Sequence, residues 1–108
     1  MIYSIEELRK RVFPVAEKYG IRSIDLIGSY ARGTATEESD IDLIIDTEGT
    51  NLTSLFRLGA VYCDLEDAIG KKIDLITANS LKEPIQRKSE IRFRENIQRE
   101  KVSLYVVE

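Results

Sequence analysis

The feature that most constrains this chain is the segment from Gly28 to Asp42, where a Gly-Ser pair precedes an Asp-Ile-Asp triplet. A glycine lets backbone and ligand approach closely, and Ser29 adds a small hydroxyl donor beside it. The triplet opens an apolar stretch typical of a strand, so that Asp40 and Asp42 point to the same face. Neighbouring carboxylates of this kind are the hard oxygen ligands that Mg²⁺ prefers. The segment therefore predicts a phosphate-binding turn next to a metal-binding strand.

A third aspartate, Asp74, lies in a second short apolar stretch with the same alternation. If the apolar residues of both stretches pack against helices, the aspartates between them all emerge on the opposite face of the sheet. The apolar residues in question are Ile41, Leu43, Ile73 and Leu75. The alternation thus gathers Asp40, Asp42 and Asp74 on one open side of a small sheet. Each of them, taken alone, is also compatible with a solvated charge at a strand edge.

Hydrophobic periodicity predicts helices and strands around these motifs. Ser4 and Glu7 form a capping box before a helix that ends at Gly20, and a second long helix is expected to open at Thr50. The buried stripe expected for this second helix is Leu52, Leu55, Leu58, Tyr62, Leu65 and Ile69. Strands are expected at about residues 22–27, 40–46, 72–77 and 102–107, with a short helix after Ser29 and another at about 88–99. The pattern indicates an α/β (α+β) fold: one domain, residues 1–108, with a small mixed sheet and helices packed on one face.

Composition excludes several classes of function. The chain has no histidine, so a His-ligated zinc site and a Ser-His-Asp triad are excluded. Its net charge of −3 argues against direct nucleic-acid binding, and a mildly basic stretch at residues 82–101 is interpreted as a solvated helix face. No apolar run is long enough for a membrane span, and Cys63 is the single cysteine, which together lead us to expect a cytoplasmic protein.

With Arg32 and Gly33 in its spacer, the segment from Gly28 to Asp42 resembles the signature of the DNA polymerase beta-like nucleotidyltransferase superfamily. It is most similar to the minimal nucleotidyltransferases (MNT), short proteins that are often the antitoxin of a pair with a HEPN-domain ribonuclease toxin. The resemblance implies that Gly28 and Ser29 bind the phosphates of a nucleotide. The guanidinium fork of Arg32 suits the same phosphates, although its stem could also simply cover apolar surface. The resemblance also implies that Asp40, Asp42 and Asp74 are the catalytic residues and hold magnesium, with two Mg²⁺ ions expected.

By the same resemblance, the expected activity is a transfer of AMP from ATP to a hydroxyl acceptor, namely a tyrosine of the cognate HEPN ribonuclease toxin. The alternative is an antitoxin without catalysis, which neutralises the toxin by binding and occlusion, and a nucleotide sensor is a third reading. A pure binder has no physical need for three aspartates on one face, so the residues favour the enzyme.

Overall fold

The computed structural model describes residues 2–50, 52, 54–82 and 88–107 and, in these, a four-stranded sheet with helices on both sides. In chain order the elements are α1 (Ile5–Tyr19), β1 (Ser23–Ile27), α2 (Gly28–Arg32), β2 (Ile41–Asp46), α3 (Leu55–Ile69), β3 (Ile73–Thr77), a 3-10 helix (Ala78–Lys82), α4 (Lys88–Glu100) and β4 (Val102–Val106). None of the helices in these residues is long and apolar enough to cross a membrane.

The sheet is mixed, with the strand order β3-β2-β1-β4. β1 is antiparallel to both β2 and β4, and β2 is parallel to β3. A parallel pair needs a crossover connection, and α3 supplies it between β2 and β3. The predicted fold class is therefore confirmed, and each of the four predicted strands is present within one or two residues of its expected bounds.

One face of the sheet packs against α1 and α3 and forms the main core. The alternating apolar positions of the central strands are completely buried there, as the predicted register requires. The residues with no exposed surface include Ile24, Leu26, Ile41, Leu43, Ile45 and Ile73 from the strands. On the helices, Leu8, Val12, Leu65 and Ile69 meet them. The aspartates of β2 and β3 consequently face the other way.

α4 lies on that second face, which departs from the prediction that the helices pack on one side. Its Ile97 packs against Ile27 and Ile44, and all three side chains are buried. The stretch at residues 82–101 had been interpreted as a solvated helix face, and this is wrong for the side of α4 that carries Ile97. The physical reason is that Ile27 and Ile44 are apolar positions on the face of the aspartates, and they need cover.

The long helix α3 begins later than predicted. Ser54 caps it by accepting a hydrogen bond from the backbone N–H of Arg57 at 3.2 Å, whereas Thr50 closes a preceding turn by donating to the carbonyl of Thr47. Leu55, predicted to be buried, is 88% exposed in the first turn of α3. Periodicity identified the buried face of this helix but not how far the core extends along it. Asn51, expected at the helix start, lies outside the described residues.

The first helix follows its predicted bounds. Ser4 accepts a hydrogen bond from the N–H of Glu7 at 3.1 Å, and Gly20 ends the helix in the left-handed conformation with a φ of 66°. The side chain of Glu7 pairs with Arg11 at 3.0 Å instead of reaching back to the cap, so only the serine half of the predicted capping box forms.

We predict that Ser54→Ala destabilises the protein by about 1 kcal/mol, because the first turn of α3 loses its side-chain acceptor. Urea unfolding followed by circular dichroism would measure this. Ser103→Ala, at an exposed serine of β4, is the control and should cost less. An unchanged midpoint for Ser54→Ala would mean that α3 is capped elsewhere.

Candidate active site

Two of the three predicted carboxylates lie side by side at the sheet. Asp42 and Asp74 are Cα partners in the parallel register of β2 and β3, so their side chains emerge on the same face of adjacent strands. Partial burial, a hydrogen bond with Asp74 and the negative charges of Asp74 and Asp40 together raise the pKa of Asp42 to about 6. Arg32 acts in the opposite direction and lowers it. A carboxyl with a raised proton affinity next to a second carboxylate is a site that favours a cation.

Gly28 is held directly against this carboxylate pair. It follows β1, whose last residue Ile27 is the Cα partner of Asp42 in the antiparallel pairing. Its φ is +75°, and a Cβ added to it would collide with the carboxylate of Asp42, whose Cγ would lie only 3.2 Å away. Both the conformation and the close approach require glycine here. The turn from β1 into α2 is therefore built tightly onto the acidic site.

A cleft of about 630 Å³ opens in front of these groups. The predicted site residues that line it are Gly28, Arg32, Asp42 and Asp74. A volume of this size is typical of a pocket for a small ligand. The structure thus brings together four of the six predicted site residues around one cavity.

The remaining two, Ser29 and Asp40, do not line this cleft. Asp40 precedes β2 and acts on Asp42 through its charge. The carbonyl of Ser29 accepts the N–H of Thr34 at 2.9 Å and that of Gly33, which ends α2 with a φ of 77°. Within the part of the chain that the structure describes, the hydroxyl of Ser29 makes no hydrogen bond.

The opposite wall of the cleft is α4, which sequence reasoning missed. Phe93, Ile97 and Glu100 line the cavity from this helix. Their spacing of four and three residues places them on one helical face, and this was the signal available in the sequence. Nothing in the sequence alone indicates that this face turns toward the aspartates.

An ion pair joins the two walls. Arg32, at the end of α2, donates from its guanidinium to the carboxylate of Glu100, at the end of α4, over 3.3 Å. Both side chains are partly exposed, so the pair contributes little to stability. The ion pair instead positions the guanidinium of Arg32, which it holds over the cleft close enough to Asp42 to lower the pKa of that residue.

The donor set fits magnesium, although it does not form a closed cage. Among the described residues, no group of three or more His, Cys, Asp or Glu side chains converges closely enough to hold a metal ion. The neighbouring Asp42 and Asp74 nevertheless offer hard oxygen donors from two strands. Mg²⁺ is usually bound by one or two protein carboxylates, with water and substrate phosphates completing its coordination.

Comparison with known proteins decides the family. A model of the nucleotidyltransferase domain matches residues 5–102, which covers nearly all of the chain. The chain belongs to this family. A nucleotidyltransferase is the class of enzyme that the resemblance of residues 28–42 had implied, and the enzyme prediction is confirmed at this level.

The relatives of this nucleotidyltransferase are named as protein-modifying enzymes. A Methanocaldococcus jannaschii protein, provisionally named a protein adenylyltransferase, is 43% identical over 78% of the chain and 84% of its own length. The protein adenylyltransferase MntA of Thermococcus cleftensis is 38% identical over 66% of the chain and 70% of its own length.

Two solved structures share the fold. One is the structure of a toxin–antitoxin with AMP-PNP, which matches with a TM-score of 0.67 at 18% sequence identity. The match covers 93% of this chain and 74% of the chain in that structure. Another is provisionally identified as a minimal nucleotidyltransferase and matches with a TM-score of 0.65 at 27% sequence identity. The match covers 93% of this chain and 95% of the chain in that structure. The predicted fold class and the recognition of the chain as a minimal nucleotidyltransferase are thereby confirmed.

We predict that Gly28→Ala destabilises the nucleotidyltransferase more than Gly33→Ala does. The two glycines have nearly equal φ angles of 75° and 77°, but only at Gly28 would a Cβ meet Asp42, whereas nothing lies within 4 Å at Gly33. Gly33→Ala should cost about 1 to 2 kcal/mol for the left-handed conformation alone. Chemical unfolding of both variants isolates the clash as their difference, and equal losses would contradict the close packing of Gly28 on Asp42.

We also predict that Asp42→Asn changes the pH dependence of stability. Because the pKa of Asp42 rises from 3.8 to about 6 on folding, the folded state binds this proton more tightly, and stability falls as the pH rises through that range. The amide does not ionise, so without metal the stability of the variant relative to the wild type should rise as the pH increases from 3.8 to about 6 and stay level above that, with a total gain of less than about 1 kcal/mol for a partly exposed group. Urea midpoints across pH 4 to 7 would show this, with Asp67→Asn on α3 as the exposed control. A constant difference at every pH would contradict the shifted pKa of Asp42.

Proposed function

We propose that this nucleotidyltransferase uses Mg²⁺ and ATP to place AMP on a hydroxyl, namely a tyrosine of a cognate HEPN-domain ribonuclease toxin, and so acts as the antitoxin. The observation that carries the proposal is the in-register pair of Asp42 and Asp74 beside the tightly packed Gly28. The family membership supports nucleotidyl transfer, and the relatives' name, protein adenylyltransferase, supports a protein as acceptor.

The charges of the cleft make a cation necessary for this substrate. Among the described residues, three carboxylates line it, those of Asp42, Asp74 and Glu100, against one guanidinium, that of Arg32. A triphosphate would meet net repulsion there. Magnesium bound by Asp42 and Asp74, with Asp40 as a third ligand, would supply the positive charge that offsets it. Metal-independent nucleotide binding is therefore not expected.

The remaining site residues would position the phosphates. Gly28 has no side chain, so the nucleotide can approach the backbone beside Asp42. Ser29 has a hydroxyl without a hydrogen-bond partner among the described residues, and it would donate to a phosphate oxygen. Arg32 would contact the phosphates, and it would either give up its hydrogen bond to Glu100 or keep it at the same time. The roles of Gly28 and Ser29 are those that the family resemblance implies, and the role of Arg32 follows from the geometry of its guanidinium.

The transfer itself is a displacement at the α-phosphorus. The acceptor oxygen forms a bond to this phosphorus, the bond to the oxygen that bridges the α- and β-phosphates breaks, and pyrophosphate leaves with that oxygen. The hydroxyl proton must go to a base. Asp74 is exposed at the cleft, and we assign it this role in addition to metal binding.

The proposed partner is supported by the resemblance to the MNT antitoxins and by a fold neighbour solved as a toxin–antitoxin with AMP-PNP. The cleft opens to the surface, so the hydroxyl of another protein can reach Asp74. We place the docking surface near β3 and the chain that follows it, and we propose that the pair acts in the cytoplasm. Occlusion without transfer is the competing mechanism, and the test below separates the two.

We predict that co-expression with a cognate HEPN-domain ribonuclease gives a complex in which the toxin carries added AMP. Asp42→Asn should reduce the transfer to background, because an amide holds magnesium poorly, while Asp67→Asn should retain it. Size-exclusion chromatography followed by intact mass measurement reports complex formation and modification separately. When the two proteins are purified separately and then mixed with ATP, removal of magnesium with a chelator should abolish the mass increase without changing the fold.

Two results together would contradict neutralisation by AMP transfer. If the toxin is inhibited at unchanged mass, and a variant with Asp40, Asp42 and Asp74 all changed to Asn protects cells as well as the wild type does, neutralisation occurs by occlusion.

A further inference from the structure

The cleft contains an aromatic side chain that neither the metal nor the phosphates would use. Phe93 of α4 lines the cavity and is 47% exposed, although the same helix buries Ile97 one turn later. Exposing half of an aromatic ring forfeits much of the free energy that its burial would give. The ring neither completes the core nor faces away from the cleft, so a ligand is the natural partner for its exposed surface.

The position of Phe93 along α4 suits one particular part of a nucleotide. Glu100 marks the phosphate end of the cleft, because it contacts Arg32 next to the Gly28 turn. Phe93 lies seven residues earlier, which is two helical turns or about 10 Å along the axis. A nucleotide with its phosphates near Arg32 and its chain lying along α4 would therefore bring its base to Phe93.

The surroundings of Phe93 have the chemistry of a base-binding slot. Ile76 of β3 lines the same cavity and packs against the Ile27, Ile44 and Ile97 cluster, which gives the cleft an aliphatic surface. Asn96, one turn after Phe93, also lines it, and its carboxamide oxygen accepts a hydrogen bond from Arg99. The carboxamide N–H groups of Asn96 are thus left to donate to a ring nitrogen or carbonyl at the edge of a base.

We infer that Phe93 is the stacking platform for the base of the nucleotide and that it makes the cleft selective for purine over pyrimidine nucleotides. The inference rests on the proposed function, because it takes the phosphate end of the cleft as given. Stacking on an aromatic ring tolerates every base, and preferences arise from stacking strength, which is greater for the larger purine rings. Phe93 is accordingly a specificity-determining residue, and Asp42 and Asp74 remain responsible for the chemistry.

The test measures binding of three probes by calorimetry in the presence of magnesium: ATP, CTP and inorganic tripolyphosphate. Wild-type protein should bind ATP more tightly than CTP, and CTP more tightly than tripolyphosphate. Phe93→Ala should weaken ATP binding by about ten-fold or more, because this is the usual loss of affinity when the stacking of one base is removed. It should leave tripolyphosphate binding unchanged. Phe93→Tyr should restore the affinity for ATP, since the ring is retained.

Phe13 provides a matched control, because it is 52% exposed on α1 and packs edge-on against Tyr105, away from the cleft lining. Phe13→Ala should leave the binding of all three probes unchanged. If ATP binds to the wild type and Phe93→Ala binds it equally well, the base platform is refuted while the proposed function stands. If neither ATP nor tripolyphosphate binds with magnesium, the phosphate site itself is refuted, and the base platform is refuted with it.

Discussion

The parallel pairing of β2 with β3 is the interaction on which the rest of the structure depends. It sets Asp42 beside Asp74, and the partial burial of Asp42, followed by its hydrogen bond with Asp74 and the charge of that carboxylate, raises the pKa of Asp42. The same pairing buries Ile41 and Ile73 on the other face, under α1 and α3. The apolar core stabilises a sheet whose opposite side carries unfavourable charge. The core that stabilises the protein and the proposed active site thus lie on the two faces of one pair of strands.

The site is assembled from three separate parts of the chain. The turn after β1 contributes Gly28, the parallel strands contribute the carboxylates, and α4 contributes a wall with Phe93 and Glu100. These parts differ in how firmly they are held. The strands and their turn rest on the main core, whereas the contacts of α4 include the small Ile97 cluster, a hydrogen bond from Arg94 to the carbonyl of Ser80 and the ion pair of its last residue, all outside that core. Adjustments of the cleft to a ligand should therefore occur at α4 rather than at the sheet.

Prediction from sequence succeeded where a residue's role depends on its immediate neighbours. Alternation in two strands was enough to put Asp42 and Asp74 on one face, and Gly20 ends its helix as expected. It failed where the role depends on distant elements. Leu55 fits the apolar stripe of α3 and yet is 88% exposed, because periodicity gives the direction of a side chain and not the extent of the core opposite it.

The sequence by itself determined which groups are available for the chemistry of this nucleotidyltransferase: it has a Gly-Ser turn, three aspartates with strand spacing and no histidine, so any metal binding or acid–base catalysis would fall to carboxylates. Only the tertiary structure decided which of them meet. The order of the strands brings Gly28 onto Asp42, and the return of α4 over the second face brings Phe93 and Glu100 to the same cleft. Local patterns fix which way a side chain points, whereas proximity between distant segments is set by strand order and by the burial of apolar surface across the whole fold.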